Sequence, residues 1–191
     1  MIIIVSGLPR SGTSLMMQML KAGGMEVLTD NIRKADEDNP KGYYEFEPVK
    51  KTREDPSWLN RAEGKVVKMV SMLLYDLPSD RQYKIIFMKR RMAEVLASQA
   101  RMLERQGKHR TEEDDRKIGR LFEEHLAEIE EWLAQQKNME VLYISYNDII
   151  SDPLANAQKI NRFLGNHLDI EKMSAVVDPA LYRQRVSSPT T

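Results

Sequence analysis

Nine residues near the N-terminus combine groups suited to holding an anion: Ser6-Gly7-Leu8-Pro9-Arg10-Ser11-Gly12-Thr13-Ser14. Gly12 lets the backbone come close to a ligand, and the amides of residues 11 to 14 would point outward at a helix N-terminus, where the helix dipole favours negative charge. Arg10, Ser11, Thr13 and Ser14 add side-chain donors around the same point. The spacing is the G-x-x-x-x-G-x-S of a phosphate-binding loop, with Thr13 where a nucleoside triphosphatase carries Lys. A plain strand-to-helix turn has no use for an Arg and three hydroxyls together. A second candidate anion-binding pair follows an apolar run: Arg90 closes it, and Ser98 lies about two helical turns further on. A guanidinium there can grip phosphate oxygens with two parallel hydrogen bonds, the alternative being a basic helix start on the surface. Lys68 stands inside the apolar run 66–70, where an unpaired charge is costly to bury unless the side chain reaches water.

Elements that could position these groups are legible as patterns. Short runs rich in β-branched and aromatic residues occur at Ile2 to Ser6, Lys65 to Val70, Tyr83 to Met88 and Val141 to Ser145. None alternates strictly with polar residues, as expected of strands covered on both faces. Helical spacing of apolar residues predicts helices over Ser14 to Ala22, Met92 to Leu103 and about Glu112 to Gln136, the last opened by a Thr111/Asp114 capping box. A final helix is predicted from the Asp152-Pro153 start to just before Gly165. Strands alternating with helices imply an α/β fold: three layers, α/β/α, around a mostly parallel sheet. In such sheets ligands sit at the carboxyl ends of the strands, where the loop at residues 7–12 and Arg90 both fall.

Composition narrows the classes. The chain has 191 residues, 29 Lys and Arg against 29 Asp and Glu, and no Cys. Disulfide scaffolds, zinc ribbons and cysteine catalysis are thereby excluded, and no apolar run is long enough for a membrane span. The apolar start leads directly into the loop and leaves no pattern of a secretion signal, so a cytoplasmic protein is expected. Length predicts one domain over residues 1–186 with a tail at 187–191. Zero net charge hides an asymmetry: residues 81–110 carry nine Lys and Arg against two acids, and residues 112–131 carry three against nine. An anion near the first segment, or two solvated helix faces of opposite sign, would account for it. The basic segment lacks interleaved aromatics, so nucleic acid is not expected. On the long helix Leu121, Phe122, Ile129 and Trp132 form an apolar stripe that suits core packing or a homodimer face.

The loop Leu8-Pro9-Arg10-Ser11-Gly12-Thr13-Ser14 resembles the 5′-phosphosulfate-binding loop of sulfotransferases, which use 3′-phosphoadenosine 5′-phosphosulfate (PAPS). Arg90 and Ser98 match that family's spacing for the pair holding the 3′-phosphate, although Arg91 and Met92 replace its usual acidic residue and proline. The segments 39–45, 146–153 and 178–185 resemble further family stretches, so the likeness touches residues 2–185. It implies a metal-independent transfer of a sulfonate from PAPS to a hydroxyl or amine of a small-molecule, carbohydrate or peptide acceptor. On this resemblance Arg10 reaches the bridging oxygen, Ser11, Gly12, Thr13 and Ser14 cradle the phosphosulfate, and Arg183 and Arg185 close over the 3′-phosphate. Lys68 resembles the Lys of the cytosolic K-T-H segment, but Val70 occupies the position of its general-base His. None of His109, His125 or His167 sits at a strand end. Glu45 is the expected base, with Glu47 second, since other branches use Glu and burial would raise its pKa. Tyr43 and Tyr44 would contact the acceptor or anchor their loop.

Two alternatives remain at this stage. A P-loop kinase or nucleoside triphosphatase would need a Lys at Thr13 and a strand-end Asp for Mg²⁺, a role that only Asp148 could fill. A non-catalytic nucleotide-binding relative would fit the missing His and the short chain, against which stand Arg10, Lys68, Arg90 and Ser98.

Overall fold

Runs of Ile, Val, Phe and Tyr pair into a sheet in the computed structural model, which describes residues 1–30, 32–36, 39 and 41–181. The strands are β1 (Ile2–Gly7), β2 (Val66–Lys68), β3 (Tyr83–Lys89) and β4 (Met139–Ser145). Their order is β2-β1-β3-β4, and all neighbours are parallel, with Ile4 opposite Val67 and Ile85, and Phe87 opposite Tyr143. β2 is shorter than its apolar run: after Lys68 the Met69 amide still bonds the Val5 carbonyl, and then the chain turns into a 3-10 segment at Ser71–Asp76.

Successive side chains point to opposite faces of a strand, and here both faces are covered. Ile2, Ile4, Val67, Ile85 and Phe87 pack with Ile129 and Leu133 of α3 (Glu112–Gln135) and with Trp58, Leu59 and Leu74 of the 3-10 segments. Ile3, Val5, Ile86 and Ile144 pack on the other side with α1 (Thr13–Ala22), α5 (Pro153–Leu164) and α6 (Ile170–Ala175). This two-sided burial explains the absence of polar alternation. The long helix sends Ile129 and Leu133 into the core and leaves Leu121 exposed. Its start carries the expected capping box, Thr111 and Asp114 bonding each other's amides.

Helices α4 (Tyr146–Ser151) and α6 were not expected from the sequence, being single-turn elements too short to show a period. α2 (Met92–Arg105) follows β3 and packs on α3. Because α1 lies on one face and the α2–α3 pair on the other, the connections leaving β1 and β3 diverge. That divergence opens a crevice at the carboxyl ends of these adjacent strands. No helix among the described residues is long and apolar enough to cross a membrane.

Candidate active site

The crevice is a cleft of about 450 Å³. Its floor is the loop between β1 and α1. Gly7 and Gly12 take φ values of 144° and 99°, and Arg10 between them is left-handed at 71°. These turns bring the chain back under the start of α1, whose first turn carries no acidic residue. Gly12, Thr13, Ser14 and Leu15 all line the cleft, so the unbonded amides of the first helical turn face it. A Cβ on Gly12 would lie 2.4 Å from the Tyr146 ring, which supports the loop from beneath. Gly12→Ala therefore forces both a strained φ and a displaced ring. The protein is expected to lose stability by about 1–3 kcal/mol, the scale of such backbone strain, as read by denaturant unfolding.

Beside the loop, Arg90 leaves the end of β3 and is held on several sides. Its Nε donates to Glu94 at 3.0 Å, one Nη donates to the Arg10 carbonyl at 3.1 Å, and its guanidinium lies 4.3 Å from the Tyr146 ring centre. Arg10 in turn donates from Nε to the Ser98 hydroxyl at 2.9 Å. The groups expected to serve opposite ends of a nucleotide are thus already linked through Arg10. Ser11 differs from its neighbours in the loop: its amide bonds the Leu8 carbonyl, its hydroxyl is buried beside Gly7, and the residue lines a separate cavity of about 160 Å³.

Lys68 enters from β2 with its side chain only 11% exposed. Its ammonium donates to the Tyr43 carbonyl and lies 3.5 Å from the Ser14 hydroxyl and 3.8 Å from Glu45. Burial lowers its pKa to about 8, Glu45 opposing and Arg33 and Arg10 reinforcing the shift. Glu45 lines the cleft and accepts a hydrogen bond from Arg33 at 2.9 Å, so its setting is a pair of cations rather than an apolar pocket. Glu47 instead pairs with Lys50 at 2.6 Å and does not line the cleft.

The adjacent tyrosines separate. Tyr43 lines the cleft, its hydroxyl donating to Asp36 and its ring covered by the Arg33 guanidinium at 3.4 Å. Burial, then the Asp36 hydrogen bond, raises its pKa. Tyr44, left-handed at φ 54°, turns away and packs with the α1–α5 core. Val70 stands on the cleft wall, while His125 is 2.8 Å from the Ser71 hydroxyl and outside the cleft. Arg183 and Arg185 lie outside the described residues.

A sulfotransferase domain model matches residues 2–185 of the chain. The chain belongs to the sulfotransferase family. Solved structures show the same fold. A sulfotransferase from Alicyclobacillus acidocaldarius superposes with a TM-score of 0.54 at 16% identity, covering 94% of this chain and 87% of that one. A mouse sulfotransferase, SULT7A1, complexed with PAP gives 0.55 at 17% identity, covering 91% of this chain and 61% of that one. A sulfotransferase domain from the curacin biosynthetic pathway gives 0.53 at 15%, covering 98% and 92%. A comparison with curated protein sequences found no match.

In this sulfotransferase the support of the site comes from residues that sequence reasoning passed over. Glu94 is fully buried and receives Arg90 together with Asn147, whose Nδ2 lies 3.1 and 3.2 Å from its two oxygens. Glu94 is four residues after Arg90, a spacing that in a helix start signals an ion pair. Tyr146 and Asn147 come from the unexpected short helix α4. Asp148, on the same turn, is absent from the cleft wall, so a strand-end carboxylate for Mg²⁺ is not supplied there.

Proposed function

We propose that this protein transfers a sulfonate from PAPS to a hydroxyl or amine acceptor. One observation carries the reading: the β1 loop, β2, the end of β3 and α2 bring Arg10, Lys68, Arg90 and Ser98 to one cleft, with Thr13 in place of a triphosphatase Lys. The residues fit such a donor: a helix start free of acids, a glycine at which a Cβ would strike Tyr146, and two cation groups joined through Arg10. When bound, PAPS supplies an activated sulfonate on a bisphosphate leaving group.

The chain's own groups then have separate tasks. The α1 amides with the Thr13 and Ser14 hydroxyls hold the phosphosulfate end, and Arg90 with Ser98 holds the 3′-phosphate. Arg10 and Lys68 meet the charge that develops on the bridging oxygen as its bond to sulfur breaks. The acceptor oxygen or nitrogen gains the sulfonate, and its proton passes to a Glu45 carboxylate oxygen. Tyr43, anchored by Asp36, fixes the wall against which the acceptor lies.

Calorimetric titration with adenosine 3′,5′-bisphosphate, the PAPS product, tests the reading, with Mg²⁺–ATP as control. The bisphosphate is expected to bind and Mg²⁺–ATP not; the reverse would replace this reading with a kinase. Arg90→Ala is expected to weaken the bisphosphate by about 10- to 100-fold, the scale of a hydrogen bond to a charged group. Glu45→Gln is expected to slow transfer by about 10²–10⁴-fold, the scale of general-base catalysis, with bisphosphate affinity retained. Full activity in that variant would move the base elsewhere.

A further inference from the structure

The cleft contains more positive charge than the two ends of the donor use. Besides Arg10, Lys68 and Arg90, it is lined by Arg33, Lys50, Arg101 and Arg105, while Glu45 and Asp178 are the carboxylates on its wall among the described residues. These four cations come from two elements, the segment before β2 and helix α2. On α2 the residues Ser98, Arg101, Met102 and Arg105 share the face that lines the cleft, as i, i+3, i+4 and i+7 positions must. The row therefore extends about 10 Å beyond the serine assigned to the 3′-phosphate.

The basic character of this segment is only partly matched by the acidic helix α3. Lys89 pairs with Glu130 at 2.7 Å and Arg110 with Asp115 at 2.7 Å, which answers part of the charge asymmetry in the sequence. Arg101 and Arg105 lie between those two pairs along the chain, and both line the cleft. On the segment before β2, Arg33 is fixed in plane by the Tyr43 ring and shares Glu45 with Lys68. The Lys50–Glu47 and Arg101–Glu104 pairs are solvent-exposed contacts that rearrange at little energetic cost. Met69, Val70 and Leu73 form an apolar stretch of the wall, whose neutral polar side chains away from the β1 loop include Gln18 and Asn39.

We propose that the acceptor is itself an organic anion, carrying a carboxylate, sulfate or phosphate that Arg33, Lys50, Arg101 and Arg105 hold while its hydroxyl or amine meets Glu45. This deepens the sulfotransferase reading and rests on it. An anionic group brings geometry as well as attraction, because arginine grips such oxygens with paired hydrogen bonds.

The test uses the full chain with and without saturating adenosine 3′,5′-bisphosphate. Saturation-transfer NMR compares matched probes: 4-nitrophenyl β-glucuronide with the glucoside, and glucose 6-sulfate and glucose 6-phosphate with glucose. The anionic members are expected to bind roughly tenfold more tightly than their neutral twins, a difference of about 1.4 kcal/mol. The Arg101→Glu/Arg105→Glu double variant is expected to lose that preference and keep its bisphosphate affinity within about twofold, while Arg116→Glu on the outer face of α3 retains both. Equal binding of neutral twins, no binding of any anionic probe, or a preference unchanged by the double variant would overturn the proposal. Collapse of bisphosphate affinity in the double variant would also overturn it, by assigning those arginines to the donor. Failure of the donor reading shows separately, as absent bisphosphate binding to the unaltered protein.

Discussion

Lys68→Met is expected to lower sulfonate transfer by about 10²–10³-fold, the loss seen when one preorganised charge-stabilising group is removed, with the bisphosphate product still bound. The ammonium sits against the Tyr43 carbonyl, Ser14 and Glu45 at the point where the β1 loop meets the segment before β2. Its pKa near 8 makes the effect visible in pH profiles. In the free protein the cation is lost as pH rises through about 8, so kcat/KM is expected to fall above that value. A bound anionic donor favours the charged form, so the same limb in kcat is expected at higher pH. Stability moves the other way. Between about 8 and the ordinary 10.5 the unfolded lysine holds more protons than the folded one, so stability rises with pH across that window. Lys68→Met is expected to be more stable near neutrality and to lose that slope, as thermal melts at several pH values will show. A pH-independent kcat/KM from 7 to 10 would remove Lys68 from the charge-stabilising role.

Glu94→Gln is expected to destabilise the protein by about 3–5 kcal/mol, because it leaves the buried Arg90 charge without its anion. Arg90 is 8% exposed and Glu94 fully buried, so water cannot compensate. For a chain of this size the melting temperature should fall by roughly 6–20 °C. On the proposed placement of the 3′-phosphate at Arg90, saturating adenosine 3′,5′-bisphosphate should recover more of that loss in the variant than it adds to the unaltered protein. The Arg90→Met/Glu94→Gln double variant should be more stable than Glu94→Gln alone. A melting temperature unchanged in Glu94→Gln would show that the pair has no such role. The pair is also tied to the β1 loop, because Arg90 donates to the Arg10 carbonyl.

Much of this architecture was legible along the chain. Strands covered on both faces announced themselves by Ile and Val runs without polar alternation, and the α3 and α5 starts by Thr111 and Asp152. The β1 loop was legible as a strand-to-helix turn on the cleft because its signals are local: glycines, hydroxyls and a helix start within a few residues. Arg90 was legible as the residue ending a buried strand on the ligand side of a parallel sheet. Glu94 was passed over because its meaning depends on Asn147, 53 positions later, and on complete burial.

Amino-acid types and spacing determined the four strands and the longer helices and which end of the sheet carries the β1 loop and Arg90, because periodicity and the backbone's hydrogen-bonding needs act over a few residues. Tertiary structure decided which side chains of those loops enter the cleft. Left-handed backbone at Arg10 and Tyr44 accompanies the turns that bury the Ser11 hydroxyl beside Gly7 and part Tyr43 from Tyr44. Packing between distant segments then set Arg10 on Ser98, 88 positions away, and Lys68 beside Glu45. Such contacts depend on how the layers stack, and no local pattern encodes that.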